Sequence, residues 1–273
     1  MSLEIFSKRN RVLIYQLVKT DFKLRYQGSF IGLLWSVLKP LMMFAVMYIV
    51  FVQALKFSDG TSTYPIILLL GISLWQFFTE ATGIGMQSVV ARGDIIRKIT
   101  FPKYIIVVSS MVSALINLLI NLLVIVFFAL ISGVTFTWNI LFVPFSLLQL
   151  FMLAFGVALF LSAFYVKFRD ISHIYDVAMQ AIFYSIPIIY PFSLLASKEI
   201  LGISIQKLSL LNPITQTIQD IRYSLIAPAS TTTIWNSVNT WWIAIIPVIA
   251  TIIIFIIGVV YFSKNSKYFA EKI

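Results

Sequence analysis

The stretch DFKLRYQGSFIGLLWSVLKP, Asp21 to Pro40, decides the fold. It begins as a basic helix suited to a water-facing surface and ends as one suited only to lipid. On a 3.6-residue wheel, Leu13, Ile14, Leu17, Val18 and Leu24 share one side, with Gln16, Lys19, Thr20 and Lys23 opposite. That pattern predicts an amphipathic helix lying in the membrane interface, its lysines toward water or anionic headgroups. Asp21 and Arg25 fall inside the apolar face, acid four residues before base, the order that favours pairing within one helix. Gly28, Ser29 and Gly32 allow a sharp bend before the first apolar run. The simpler reading of the same residues is a basic flank beside a membrane span, with no further role.

Composition extends this reading to the whole chain of 273 residues. Sixty per cent are hydrophobic and 11% charged, with a mean hydropathy of +0.97, which excludes a soluble domain of this size. A hydrocarbon core of ~30 Å needs about 20 apolar residues per helix, and runs of that length recur. Six spans are expected, near Ile31–Leu55, Tyr64–Gly85, Tyr104–Ser132, Ile140–Val166, His173–Phe192 and Trp241–Phe262, in one all-α transmembrane domain covering residues 1–273. MSLEIFSKRN lacks the apolar core and cleavage site of a signal peptide, so the N-terminus is expected to stay attached. With no cysteine, disulfide and thiolate chemistry are excluded. The formal charge of +10 sits beside apolar spans, which fits topology and lipid headgroups rather than nucleic acid.

Lysine and arginine gather on the cytoplasmic side of membrane proteins, and their distribution orients the spans. Lys8, Arg9, Arg11, Lys19, Lys23, Arg25, Arg92, Arg97, Lys98, Lys103, Lys167, Arg169, Lys264, Lys267 and Lys272 fall on one side of the drawing. Lys56, Lys198, Lys207 and Arg222 fall on the other, with Lys39 inside the first span. Both termini are therefore expected in the cytosol, with Trp138, Trp235, Trp241 and Trp242 at the outer interface.

Two connections carry patterns of their own. The inner loop holds Asp94, Arg97 and Lys98 on a short helical segment limited by Pro102, too short to be stable unless it rests on something; a solvated charged turn is the alternative. The outer stretch 193–240 is rich in Leu and Ile. Asn212-Pro213 reads as an N-cap and first helical residue, and Ile214, Ile218, Ile221 and Leu225 follow at helical spacing. With Leu194–Leu211 before it, this predicts two short re-entrant helices dipping into the outer leaflet between spans five and six. A plain extracellular cap is the competing arrangement.

Signatures of catalysis are missing: no phosphate-binding G-x-x-x-x-G-K-[ST], no H-E-x-x-H, and a single histidine, His173. Lys39 and Glu80 sit at similar depth in adjacent antiparallel spans and are expected to form a structural ion pair. His173 and Asp176, near Arg169 and Asp170, read as a wet interfacial cluster. Trp75, Phe77, Phe78, Tyr184 and Tyr190 are aromatic side chains inside spans that could offer stacking surfaces to sugar rings, although most such residues face lipid or pack. An ion-coupled transporter would need a mid-membrane carboxylate and an internal repeat, and neither is seen. A glycosyltransferase or hydrolase would need a catalytic carboxylate pair, also absent.

Taken in order, the motifs resemble a known family. They are D-x-K-x-R-Y-x-x-S-x-x-G-x-x-W from Asp21 to Trp35, LLLGISLWQFF at 68–78, IIRKITFPK at 95–103, VKFRD at 166–170, PIIYP at 187–191, and Asn212-Pro213 ahead of Arg222-Tyr223. Together they resemble the membrane subunit of type-two ABC exporters that move O-antigen, capsule or teichoic acid. The resemblance implies a permease of the bacterial inner or cytoplasmic membrane, acting as a homodimer with two copies of a separate ATPase subunit that holds ATP and magnesium. No cofactor is then expected in this chain. It further implies docking of the ATPase on the surface helix and inner loop, through Asp21, Lys23, Arg25, Asp94, Arg97 and Lys98. The outer helices would form a gate, and a lipid-linked polysaccharide would pass along a path lined by the aromatic residues. A same-architecture exporter of a small lipid or drug is the runner-up.

Overall fold

The computed structural model describes residues 8–26, 32–57, 60–196, 198–200, 203–238 and 240–272; the side chains of residues 22, 24–26, 33, 200 and 203 lie outside that description. Twelve helices are described. They are α1 (Lys8–Tyr26), α2 (Trp35–Met47), α3 (Tyr64–Ala91), α4 (Gly93–Lys98), α5 (Tyr104–Ile131), α6 (Val143–Lys167), α7 (Ile171–Ser185), α8 (Ile205–Leu210), α9 (Pro213–Leu225), α10 (Ile234–Ser237), α11 (Trp241–Asn265) and α12 (Phe269–Lys272). A two-strand antiparallel ribbon, β1 (Glu199–Ile200) and β2 (Ile203–Ser204), pairs Glu199 with Ser204.

Among the described residues, five helical stretches are long and apolar enough to cross a membrane: Trp35–Ala54, Tyr64–Ala91, Tyr104–Ile131, Trp138–Lys167 and Trp241–Lys272. This is a multi-pass helical membrane protein. The first crossing is α2 extended by π-helical turns, Tyr48–Ala54, in which Leu55 donates to the Val50 carbonyl. Of the bend expected before it, Gly28 and Ser29 lie outside the described residues. Gly32, at φ +56°, adopts the left-handed conformation that glycine tolerates best.

The helix expected over His173–Phe192 is shorter in the structure. α7 stops at Ser185, giving 15 residues and ~22 Å at 1.5 Å per residue. Pro187 is the cause: it drives Ile186 into an extended conformation, φ −90° and ψ 135°, and cannot continue the helical ladder. The first outer helix is also shorter than the apolar run Leu194–Leu211 implies. A single turn, Phe192–Leu195, and the β1–β2 ribbon occupy its beginning, leaving the six residues of α8.

α3 is the hub of the bundle. It packs on α5 and α6, and most of its length is buried. Paired side chains, Arg92 with Ser109 and Glu80 with Asn117, show that α3 and α5 run antiparallel. α6 and α11 run parallel, with contacts stepping from Gln149–Thr251 through Phe155–Phe255 to Phe160–Tyr261. Between them Gly156 and Gly258 let the backbones touch: a Cβ on Gly258 would stand 2.1 Å from the Gly156 oxygen. Small residues at a crossing are how membrane helices gain packing where burying apolar surface yields nothing against lipid.

α1 lies against α5 with Leu17 buried and Leu13, Ile14 and Val18 half-buried, while Gln16, Lys19, Thr20 and Lys23 are exposed. The apolar and polar sides drawn from the sequence are thus met at these eight positions, while Asn10 is buried and Val12 and Tyr15 are exposed.

Candidate functional site

Two cavities run beside one another where α2, α3, α5 and α7 meet. The larger, about 760 Å³, is walled by Trp35, Ser36 and Lys39 of α2; Ser73, Gln76, Phe77, Thr79, Glu80, Gly83 and Ile84 of α3; Ala114, Asn117, Leu118 and Asn121 of α5; and Tyr175, Asp176 and Met179 of α7. The second, about 540 Å³, shares Lys39, Gln76, Thr79 and Met179 with it and adds Met42, Met43, Val46, Ile72, Trp75, Gln180 and Phe183. Polar side chains inside a bundle this apolar cost free energy unless they meet partners or water.

Many of the partners are present. Asn117 Nδ2 donates to Glu80 Oε1 at 2.8 Å, and Asn121 Nδ2 donates to the Asn117 carbonyl at 3.0 Å. The Tyr175 hydroxyl sits 2.6 Å from Thr82 Oγ1 and donates to the Thr79 carbonyl at 2.9 Å, tying α7 to α3. On this wall Ser73 Oγ and Asn117 Oδ1 are buried and, among the described residues, have no hydrogen-bond partner. The furrow therefore offers donors and acceptors beside Trp35 and Phe77, which suits a ligand rich in hydroxyls.

Lys39 and Glu80, the two residues of the expected ion pair, line the same cavity, as equal depth requires. Asn117 on α5 also supplies a donor to the carboxylate.

The aromatic residues divide by environment. Phe77 lines the larger cavity and Trp75 the smaller. Phe78 is buried and stacks on Trp75 at 5.9 Å, so it supports the wall. Trp75 also meets Phe183 at 5.7 Å. Tyr184 is exposed, and the Tyr190 hydroxyl donates to the carbonyls of Tyr184 and Ser185; neither lines these cavities.

At the basic end, Asp21 forms a salt bridge with Arg92, and Arg92 Nη1 donates to Ser109 Oγ at 2.9 Å. The sequence pairs Asp21 with Arg25, whose side chain lies outside the described residues. Arg92 stands 71 positions away, beyond the reach of any periodicity within one helix. Lys23, Asp94, Arg97 and Lys98 are all exposed. α4 does rest on something, as its length demands: it packs on α12, whose Phe269 is buried and meets Phe262 edge-on at 5.3 Å.

At the other end, α9 is buried along nearly its whole length despite carrying Thr215, Gln216, Thr217, Gln219, Asp220, Arg222 and Ser224. Asn212 caps it, its side chain accepting from the Ile214 amide at 2.9 Å. Ile214, Ile218, Ile221 and Leu225 form the buried apolar stripe expected of them. Arg222 is the residue whose role sequence reasoning missed. Its Nη1 donates to the Pro187 carbonyl at 2.7 Å and to Gln219 Oε1 at 3.0 Å, and Nη2 donates to the Ile188 carbonyl at 3.1 Å. The Tyr64 hydroxyl donates to the Ile189 carbonyl at 2.9 Å. Backbone groups released by the break at Pro187 are thus met by side chains from α9 and α3.

A bundle of apolar helices, a polar furrow within it and a basic surface at one end define a membrane transport protein of the permease kind. Residues 12–226 match the ABC-2 type transporter family, and the chain belongs to it. It is similar to the O-antigen export system permease protein RfbA of Myxococcus xanthus, 28% identical over 185 residues, covering 67% of this chain and 70% of that protein. A protein of the same name from Klebsiella pneumoniae is 27% identical over 190 residues, covering 68% and 71%.

Proposed function

We propose that this chain is the channel-forming permease subunit of an ATP-driven exporter that carries a lipid-linked polysaccharide outward across the bacterial cytoplasmic membrane. The family match along most of the chain, together with relatives named as O-antigen export permeases, is the observation that carries this reading. The furrow supports it, since hydroxyl and amide side chains beside aromatic rings suit a polymer of sugars.

In this reading two copies of the chain face each other and two copies of a separate ATPase subunit bind from the cytosol. α7 and the extended segment after Pro187 make a sixth crossing, with both termini cytosolic, and α8 and α9 form an outer re-entrant gate. Lys23, Asp94, Arg97 and Lys98 contact the ATPase, while Asp21, engaged by Arg92, holds α1 in place for that contact. Closure of the ATPase pair on nucleotide shifts α1 and α4, and through Arg92 and Ser109 this motion reaches α3 and α5, which wall the furrow. ATP hydrolysis supplies the energy, and differential binding of the ATPase to two permease conformations is how it reaches the path.

Two experiments test this. The tagged chain, expressed in its own host, is expected to copurify with an ABC-type ATPase subunit; recovery of the chain alone from a membrane containing such a subunit would contradict the reading. In vesicles holding the complex, lipid-linked polysaccharide is expected to stimulate ATP hydrolysis. Stimulation by small lipids or drugs and not by the polymer would move the assignment to another kind of cargo.

A further inference from the structure

Asp220 presents a problem that the transport path does not solve. Its side chain is nine-tenths buried on α9, which is not one of the membrane-crossing helices. Oδ2 accepts from both Gln216 Nε2 and Trp235 Nε1, the latter at 3.2 Å, and Gln216 is itself held by Gln149 at 2.7 Å. Oδ1 is buried and, among the described residues, has no hydrogen-bond partner. Among the described residues no cation pairs with it, and Arg222 on the same helix donates to the Pro187 and Ile188 carbonyls. Burial raises the carboxyl above its ordinary range, against the lowering effect of the Trp235 and Gln216 donors. A carboxylate buried with one oxygen unmet calls for a donor, and best of all for a positive one.

Asp220 lines a cavity of about 490 Å³, separate from the furrow, whose walls are the rings of Phe142, Phe145, Tyr223 and Trp235 with the amides of Asn139 and Asn236. Its volume is that of a small-ligand site, ~300–1,000 Å³. No lysine or arginine lines it, so it is not built for phosphate. One carboxylate among amides and hydroxyls falls short of the ~6–8 oxygen ligands of calcium. A carboxylate enclosed by aromatic rings is the chemistry that recognises an ammonium group, which gains from the ring faces while it replaces its lost water. Phe142 and Phe145, which line it, are also exposed, as are Trp138 and Leu141 on the adjoining turn Trp138–Phe142, and together they give the cavity an apolar rim. Acyl chains would lie against that rim.

We propose that this cavity binds the primary ammonium headgroup of a membrane phospholipid, its nitrogen facing Asp220 and its chains against the rim. Binding would fix α9 and α10 to α6 through the chain Gln149, Gln216, Asp220 and Trp235.

The test uses the full chain in nanodiscs of phosphatidylglycerol with or without phosphatidylethanolamine, and with N-acetylated phosphatidylethanolamine, which keeps the phosphate and chains but loses the charge. Phosphatidylethanolamine alone is expected to raise Tm, by about 3 °C for a site occupied tenfold over its free form. Asp220→Asn should abolish the shift. Since that variant could fail to fold, Asn236→Trp, which fills the exposed mouth and spares the Asp220 network, should abolish it too. An equal shift with the N-acetylated lipid, or retention of the shift in Asn236→Trp, overturns the proposal. So does stabilisation by soluble glucosamine without any by phosphatidylethanolamine, which would assign the ammonium to a sugar instead of a lipid.

Discussion

Arg222 is a full positive charge at 4% exposure, and carbonyls explain much of its place. A helix interrupted at Pro187 leaves carbonyls that nothing in lipid would satisfy, and the planar guanidinium reaches two of them at once. Lysine keeps the charge but loses the fork. Arg222→Lys is therefore expected to cost about 1–3 kcal/mol, the penalty of an orphaned buried acceptor, read as a lowered Tm of the purified protein. Gly71 leaves room for the same guanidinium, since a Cβ there would stand 2.3 Å from Nη2, so Gly71→Ala should destabilise in the same direction. Gly258→Ala strikes the backbone of Gly156, which cannot swing aside, and should lower Tm by more than Gly71→Ala does. A smaller drop for Gly258→Ala would contradict the packing described for α6 and α11.

At the scale of elements, the sequence revealed what depends on periodicity and concealed what depends on contact. α1 was legible from spacing, and α9 from Asn212-Pro213 and its isoleucines, because each signal lies within one helix. The shortened α7 was not legible from hydropathy, because Pro187 sits in a run as apolar as the helix it ends. Counting residues from the span ends puts Lys39 and Glu80 at one depth, and they line one cavity, yet counting could not show that Asn117 would supply a donor from a third helix. The Asp21–Arg92 contact makes its own prediction. Arg92→Asp should loosen α1 and reduce export, and adding Asp21→Arg should restore much of it, while a double variant no better than the single one would remove the strap from the mechanism. Arg97→Glu with Lys98→Glu leaves the fold untouched, since both side chains are exposed on α4. It is expected to separate ATP hydrolysis from export while the protein remains in the membrane.

For the whole molecule, the arrangement in the bilayer and the source of energy are the matters that count. The absence of cysteine makes a clean background for labelling. Single cysteines at Lys8 or Lys272 should be shielded from an impermeant thiol reagent added outside the cell, and one at Lys207 should react. The reverse pattern would invert the topology and place the basic surface where no ATPase could reach it. The account rests most heavily on the chain being a conduit moved by another subunit, and one measurement addresses that directly. Vesicles are prepared with the permease alone, with permease and ATPase, and with permease and an ATPase unable to hydrolyse ATP, and accumulation of lipid-linked polysaccharide is followed on the far side. Accumulation only in the second preparation, and only with ATP, is the predicted result; accumulation by the permease alone would contradict it.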